Sequence, residues 1–308
     1  IRINKNDMNS IQFTRYFPDE AACRAHFRAA REGEGIVCKK CGCKKHWWLK
    51  NKDQWKCSAC DFRTTIRSGT FMQGSNLGLY QWYLAMAFMS FSKKGISASE
   101  LQRQMGIRNY DTVWSLMHRI RRAMGDRDSL YGLSDMQEVD EGFIVTATQS
   151  KVRNNLKRGR GSKRVSPVAV AAESIPLEDI LTGETSRQCR YFKMKQLEGL
   201  KADEIEGFVQ ENLDKSSVVF SDMSTSYTQF SKYVDTHITV KSSKVSTRKT
   251  LQWVHIAIAN LKRTLLGVYH RINQEYLQLY LDEFCYKLNR RYFKDRLFDR
   301  LVIAVVGN

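Results

Sequence analysis

Proline is scarce here, at three of 308 residues, so no proline-rich linker marks a domain boundary. No apolar run approaches the roughly 18 residues that a membrane span requires. The opening IRINKNDMNS lacks the apolar core of an export signal. Together these absences lead us to expect a soluble, cytoplasmic protein with no membrane partner. Internal repeats and low-complexity tracts are also missing, which leaves globular domains, and the length has room for two or three. Acid is outnumbered: 32 Asp+Glu face 50 Lys+Arg, a formal charge of +18. A surface with that excess attracts polyanions, because neutralising phosphates releases condensed counterions. No basic amphipathic helix stands alone, so nucleic acid is a better partner for this charge than a membrane surface.

Eight cysteines are present, and four of them fall in two short pairs, Cys38-Lys-Lys-Cys41 and Cys57-Ser-Ala-Cys60, with 15 residues between. In a cytosolic protein, paired spacing of this kind means metal rather than disulfides. Each knuckle can place two thiolates on one tetrahedral zinc ion. Gly42 and Asp61 follow the knuckles where the chain must turn. Cys43 and His46 are possible substitute ligands without a partner at knuckle spacing, while Cys23, Cys189 and Cys285 sit in apolar contexts that suit a core. So small a ribbon has little apolar area, and zinc would supply much of its stability. Lys39, Lys40, Lys44, Lys45 and Lys50 surround it and suit phosphate contact.

Ahead of the ribbon, residues 10–33 read as a helix opened by Pro18, Asp19 and Glu20. After it, residues 76–124 are helical. Within them, Ser97 with Glu100 forms a capping box, Gly106 ends that helix, and a second begins near Asp111 or Thr112. A short helix, a glycine turn and a basic helix make a major-groove reader. Val113, Leu116, Met117 and Ile120 face inward, and Arg119, Arg121 and Arg122 are expected on the exposed side. The bland alternative is a pair of core helices.

From residue 136 the pattern changes to β: Glu138 to Thr146, Val165 to Ala172 and Cys189 to Met194. A helix follows at about 202–213, a strand at 217–221, and helices at about 251–266 and 273–291. Asp140 lies inside the first of these strands, and Asp222 closes the apolar run Val218-Val219-Phe220-Ser221. An unpaired buried carboxylate is costly. Two carboxylates on adjacent strands can instead hold divalent ions that stabilise the attacking and leaving oxygens of a phosphodiester. Successive strand residues face opposite ways, so only one of Asp140 and Glu141 points at such a site, and Glu138, on the face of Asp140, is a possible accessory.

The chain resembles the prokaryotic insertion-sequence DDE transposases that join a zinc ribbon to an RNase H-like domain, relatives of the eukaryotic Merlin elements. The resemblance runs through Phe17-Pro-Asp-Glu-Ala-Ala-Cys23, Gly35-Ile-Val-Cys38-Lys-Lys-Cys41-Gly42, Ser68-Gly-Thr-Phe71, Val139-Asp140-Glu141 and Lys157-Arg-Gly-Arg160-Gly161. It continues through Leu261-Lys-Arg263, Gly267-Val-Tyr-His270, Tyr280-Leu-Asp-Glu-Phe284, Asn289-Arg-Arg291 and Phe298-Asp-Arg300. It implies an α/β multidomain fold: an N-terminal helical segment (1–33), a zinc ribbon (34–70), a helix-turn-helix domain (71–128) and an RNase H-like mixed-sheet catalytic domain (134–308).

It also implies a third catalytic residue on the helix after Asp222, usually Glu, seven positions before a lysine. Seven before Lys262 stands His255, a departure that members of the family share at times, varying between Glu, Asn and His. Seven residues span about 700°, nearly two whole turns, so His255 and Lys262 share a helix face. Asn260 is the other candidate. A histidine nitrogen suits Mn²⁺ better than Mg²⁺, so Mn²⁺ is expected to support activity at least as well.

The implied activity is metal-dependent cleavage and joining of double-stranded DNA at terminal inverted repeats and a target, in a homodimer or larger assembly. Two basic stretches would clamp that DNA: Lys157, Arg158, Arg160, Lys163 and Arg164 in the loop leaving the Asp140 strand, and Lys244 with Arg248 before the His255 helix. A solvated loop is the plain reading of each. A DNA-binding regulator with a decayed nuclease site, and a nuclease without strand transfer, are the rival classes.

Overall fold

The computed structural model describes residues 8–147, 164–178, 183, 185–199, 201–241, 243, 250–293 and 296–307. The chain forms two compact units, one of residues 1–127 with 290–308 and the other of residues 128–289. The second unit ends at Asn289, and residues 290–308 belong with the first.

In the first unit the expected single N-terminal helix is two, α1 (Ser10–Tyr16) and α2 (Glu20–Glu34). Pro18 cannot donate its nitrogen to a continuing helix, and the Asp19 carboxylate caps α2 by accepting the Ala22 N–H at 2.8 Å. The strands β1 (His46–Leu49), β2 (Gln54–Cys57) and β3 (Arg63–Thr65) form an antiparallel ribbon. Three helices follow, α3 (Leu79–Phe91), α4 (Ala98–Met105) and α5 (Tyr110–Ser129). Gly106 takes φ +64° and closes α4, a left-handed position that glycine occupies without cost. Ser97 caps α4 by accepting the Glu100 N–H, while the Glu100 side chain turns to Arg103 and Gln104. The last helix, α9 (Leu297–Val306), packs on α2 and α3. Its Phe298 joins Phe13, Phe17 and Tyr83 in an aromatic core with edge and tilted ring contacts.

The second unit is a five-stranded mixed sheet built from β4 (Met136–Val145), β5 (Val165–Glu178), β6 (Thr185–Gln196), β7 (Val218–Asp222) and β8 (Thr236–Val240), in the order β6-β5-β4-β7-β8. The first three strands form an antiparallel meander, and β7 and β8 run parallel to β4. Strand β8 was not read from the sequence: Thr236-His-Ile-Thr-Val240 has no apolar face, because its residues are mostly exposed at the sheet edge. Helix α6 (Ala202–Asn212) covers one face, and α7 (Gln252–Thr264) with α8 (Leu277–Asn289) covers the other. Alternation along β5 sorts the two cores. Val168, Val170 and Ala172 meet α7 and α8, and Ala169 and Ala171 meet the α6 side. Among the described residues, no helix is long and apolar enough to cross a membrane.

Candidate active site and metal centre

In the ribbon, the sulfurs of Cys38, Cys41, Cys57 and Cys60 all lie within 4.8 Å of one another. Cys38 and Cys60 approach to 3.5 Å, as do Cys41 and Cys57. Thiolates on one tetrahedral zinc ion stand about 3.8 Å apart, so the four fit that ion. The two knuckles repeat one another. The N–H groups of Gly42 and Asp61 reach the carbonyls of Cys38 and Cys57, and those of Cys38 and Cys57 reach Cys43 and Phe62. Gly42 and Asp61 both take positive φ, +72° and +59°. Burial raises the Cys38 thiol, but the N–H groups of Cys41 and Lys40 outweigh it and bring it to about 7. Burial likewise raises Cys57, and the N–H groups of Ala59 and Cys60 bring it below its ordinary value. Backbone donors thus favour thiolates at Cys38 and Cys57. At Cys41 the Cys43 N–H lowers the thiol, but Cys60, burial and the other cysteines push it up to about 12, and Cys60 is raised as well. Cys43 stands outside the set, with its sulfur 3.5 Å from the Ser58 hydroxyl. Cys23, Cys189 and Cys285 are buried in apolar cores.

On the helix-turn-helix the three arginines separate. Arg122 is exposed, Arg119 donates to the Gln73 carbonyl at 3.1 Å, and Arg121 is only 1% exposed. The expectation that Arg121 faces DNA is therefore corrected. It follows directly after Ile120 on the inward side of α5, beside the stripe it was supposed to oppose.

In the sheet, the parallel pairing of β4 with β7 runs Met136↔Val218, Gln137↔Val219 and Glu138↔Phe220. The pairing ends there, and carrying its register two residues further brings Asp140 level with Asp222. Asp140 faces α7, and its Oδ2 lies 3.5 Å from Nε2 of His255, with side chains 15% and 39% exposed. Burial holds the His255 imidazole below the usual histidine range. The Asp140 Oδ1 accepts the Glu141 N–H at 2.8 Å, and the Asp222 Oδ1 accepts the Ser224 N–H at 2.9 Å. Asn260 is turned elsewhere, accepting from Arg263 at 2.7 Å. Lys262 is exposed on the outer part of α7. Helix α7 comes close to β4 at Gly142, where a Cβ would sit 3.3 Å from Ile258.

Glu141 points to the opposite face from Asp140, yet it belongs to the same acidic cluster. Burial raises its carboxyl, the nearby Tyr227 phenol lowers it, and the charges of Asp140 and Asp222 raise it again. Tyr227 is fully buried, and its phenol is pushed far up by burial and then by Glu141, Asp140 and Asp222. No sequence signal singled out Tyr227, which lies in a short 3-10 turn after β7.

Of the basic loops, Arg164 is exposed at the start of the β4–β5 return, where its carbonyl accepts the Thr146 N–H at 3.0 Å. Strand β4 ends at Val145, opposite Val165 of β5 and five residues past Asp140, roughly 17 Å along the strand. Lys157, Arg158, Arg160, Lys163, Lys244 and Arg248 lie outside the described residues.

A meander followed by two parallel strands, with one acid midway along the central strand and another at the end of its parallel neighbour, is the arrangement of an RNase H-like sheet, and a zinc ribbon accompanies it here. Comparison with known proteins carries this further. Residues 132–289 match the ISXO2-like transposase domain, and residues 18–62 match a transposase zinc-ribbon domain. The chain belongs to the ISXO2-like transposases. An uncharacterized protein of the transposable element ISH50 from Halobacterium salinarum is 24% identical over 157 residues. That match covers 49% of this chain and 51% of the relative, so the chain spans about half the length of the curated protein it matches. A crystal structure of a pre-cleavage Mos1 transpososome aligns over 69% of this chain and 75% of that one, at 9% identity and a TM-score of 0.21, too low to carry an argument.

Proposed function

We propose that the protein binds the terminal inverted repeats of an insertion sequence, cleaves the element's ends and joins them to target DNA. The observation behind this reading is the convergence of three elements: Asp140 and Asp222 level on adjacent parallel strands, with His255 facing Asp140 at 3.5 Å. These three residues would hold Mg²⁺ or Mn²⁺. Two donors on one small octahedral ion stand about 3 Å apart, close to the 3.5 Å between Asp140 and His255, and the carboxylate and imidazole donors suit such ions. When bound, the ions stabilise the attacking and leaving oxygens of a phosphodiester. The protein's own contribution is positioning. The N–H groups of Glu141 and Ser224 fix the two carboxylates. A neutral His255 offers a nitrogen lone pair. Lys262, on the same helix face two turns on, meets the phosphate. No side chain becomes covalently attached: water breaks the first phosphodiester, and the freed 3′-hydroxyl attacks the second.

The zinc ribbon and the exposed Arg122 hold double-stranded DNA, while Lys157, Arg158, Arg160, Lys163, Arg164, Lys244 and Arg248 clamp its backbone. Joining two ends calls for a dimer or a larger assembly. The test is cleavage and strand transfer on DNA carrying the inverted repeats that flank the gene. Asp140→Asn, Asp222→Asn and His255→Ala should each lower cleavage about a thousandfold, since the bound ions are worth several kcal/mol to the transition state. Mn²⁺ should match or exceed Mg²⁺. Normal cleavage by His255→Ala would sink the third assignment. Binding without metal-dependent nicking would favour a DNA-binding regulator, and nicking without joining a plain nuclease.

A further inference from the structure

Glu138 is completely buried, two residues before Asp140 on the same face of β4, and the chemistry proposed above gives it no task. Its surroundings do. Helix α7 begins after Leu251, and no side chain at its cap position accepts a hydrogen bond. The first N–H groups of a helix have no partner within the helix, and buried donors left without one are costly. Glu138 Oε2 accepts two of them, from Trp253 at 2.6 Å and Val254 at 3.2 Å. Its Oε1 lies 3.2 Å from Nη2 of Arg187, and that same nitrogen donates to the Thr250 carbonyl at 3.3 Å. Glu138 and Arg187 therefore grip both the residue that leads into α7 and the first turn of the helix. The next residue after Val254 is His255.

We propose that Glu138 is a positioning residue: it pins the first turn of α7 to the strand that carries Asp140, and so sets the spacing between Asp140 and His255. The proposal rests on the metal-site reading above. It also replaces the expectation that Glu138 is an accessory ligand, because one carboxylate oxygen is taken by α7 and the other faces Arg187. Misplacing reacting groups by about 1 Å can cost a hundredfold, so a clamp this close to the site has leverage on it.

The test uses the full zinc-loaded chain and Mn²⁺ alone as probe. Binding is read from the free-ion signal in electron paramagnetic resonance, and the clamp from amide exchange at Trp253 and Val254. In Glu138→Ala both amides should exchange at least about tenfold faster, and Mn²⁺ affinity should fall roughly 10–100-fold, as for groups that orient metal ligands. Glu138→Gln keeps an acceptor oxygen for the two N–H groups, and should hold both readouts within about threefold of wild type. This variant carries the test if Glu138→Ala does not fold. Two results would overturn the proposal. One is a folded Glu138→Gln with protected amides that loses Mn²⁺ as fully as Asp140→Asn, which would make Glu138 a ligand. The other is a Glu138→Ala with fast exchange but unchanged Mn²⁺ affinity, which would make it merely structural. Mn²⁺ binding that Asp140→Asn itself leaves untouched would overturn the metal-site reading instead, and the proposal with it.

Discussion

The four ribbon thiols come from two four-residue segments, and each knuckle folds by the same pair of backbone hydrogen bonds around a left-handed residue. The acidic site is assembled otherwise. Asp140, Asp222 and His255 come from two strands and a helix, and nothing local brings them together. Strand register levels the two aspartates, and the docking of α7 on β4 delivers the histidine. Each unit nevertheless uses one shared device, a glutamate from a distant element at an uncapped helix start. In the first unit Glu20 accepts the N–H groups of Leu79 and Tyr80, each at 2.8 Å, beside Gly78, whose missing side chain leaves it room. In the second, Glu138 serves α7 in the same way. The lesson is that a group of side chains written in short spacing is arranged by local backbone turns, whereas one written across a sheet depends on the packing beneath it.

Removing zinc should have the largest effect, because structural zinc contributes apparent binding energies of about 10–16 kcal/mol. Chelation, or Cys57→Ser, should strip amide protection from residues 46–65 and leave β4 and β5 protected. Loss of protection in both units together would break the contrast. Next comes the helix-turn-helix. Arg121→Ala should cost roughly 2–4 kcal/mol in urea unfolding, because it empties a buried position. Arg122→Ala should change stability by less than about 0.5 kcal/mol but weaken DNA binding and reduce its salt slope by about one. Equal stability losses would mean that the two side chains are not distinguished by burial.

Acidity should move the two units in opposite directions. Burial holds His26 in the first unit below its ordinary value, so its contribution to stability is present above that value and is lost as pH falls. In the second unit burial raises Glu138 to about 7, against the donors of Val254, Arg187 and Trp253. A raised carboxyl contributes stability that is complete below its unfolded value and is lost as pH rises through 7. Between pH 5.5 and 8 this amounts to about 2 kcal/mol. Amide exchange by unit at the two pH values reads both, and Glu138→Gln should flatten the second. Within the second unit, the smaller effect belongs to Gly142→Ala. The new methyl would meet Ile258 at 3.3 Å, and the strain of about 1–2 kcal/mol is partly offset by reduced freedom of the unfolded chain. A net loss of about 1 kcal/mol in denaturant unfolding, with weaker Mn²⁺ binding, would show that the seat of α7 governs the site.

The ribbon was legible because tetrahedral zinc demands a spacing that a sequence displays openly at Cys38, Cys41, Cys57 and Cys60. Strands β4 to β7 were legible because their apolar runs end in turn residues and switch period. Strand β8 was not, since an exposed edge needs no apolar pattern. The inward turn of Arg121 was also hidden: charge describes what a side chain prefers, and its burial in the fold overrules that preference. Phe17-Pro18-Asp19 carried a break that was read as a helix start, and it is one, with a second helix before it.

By itself, then, the sequence determined the zinc ligands, the glycine-closed helix pair, the net basic charge and the acid that closes the apolar run 218–221, because each is read from composition or from residues within a few positions of one another. Only the tertiary structure decided that His255 and not Asn260 meets Asp140, that Glu138 serves a helix start, and that the chain's end returns to the first unit. Those outcomes are set by strand register and helix docking, which arise from the burial of apolar faces far apart in the chain, and no local pattern encodes them.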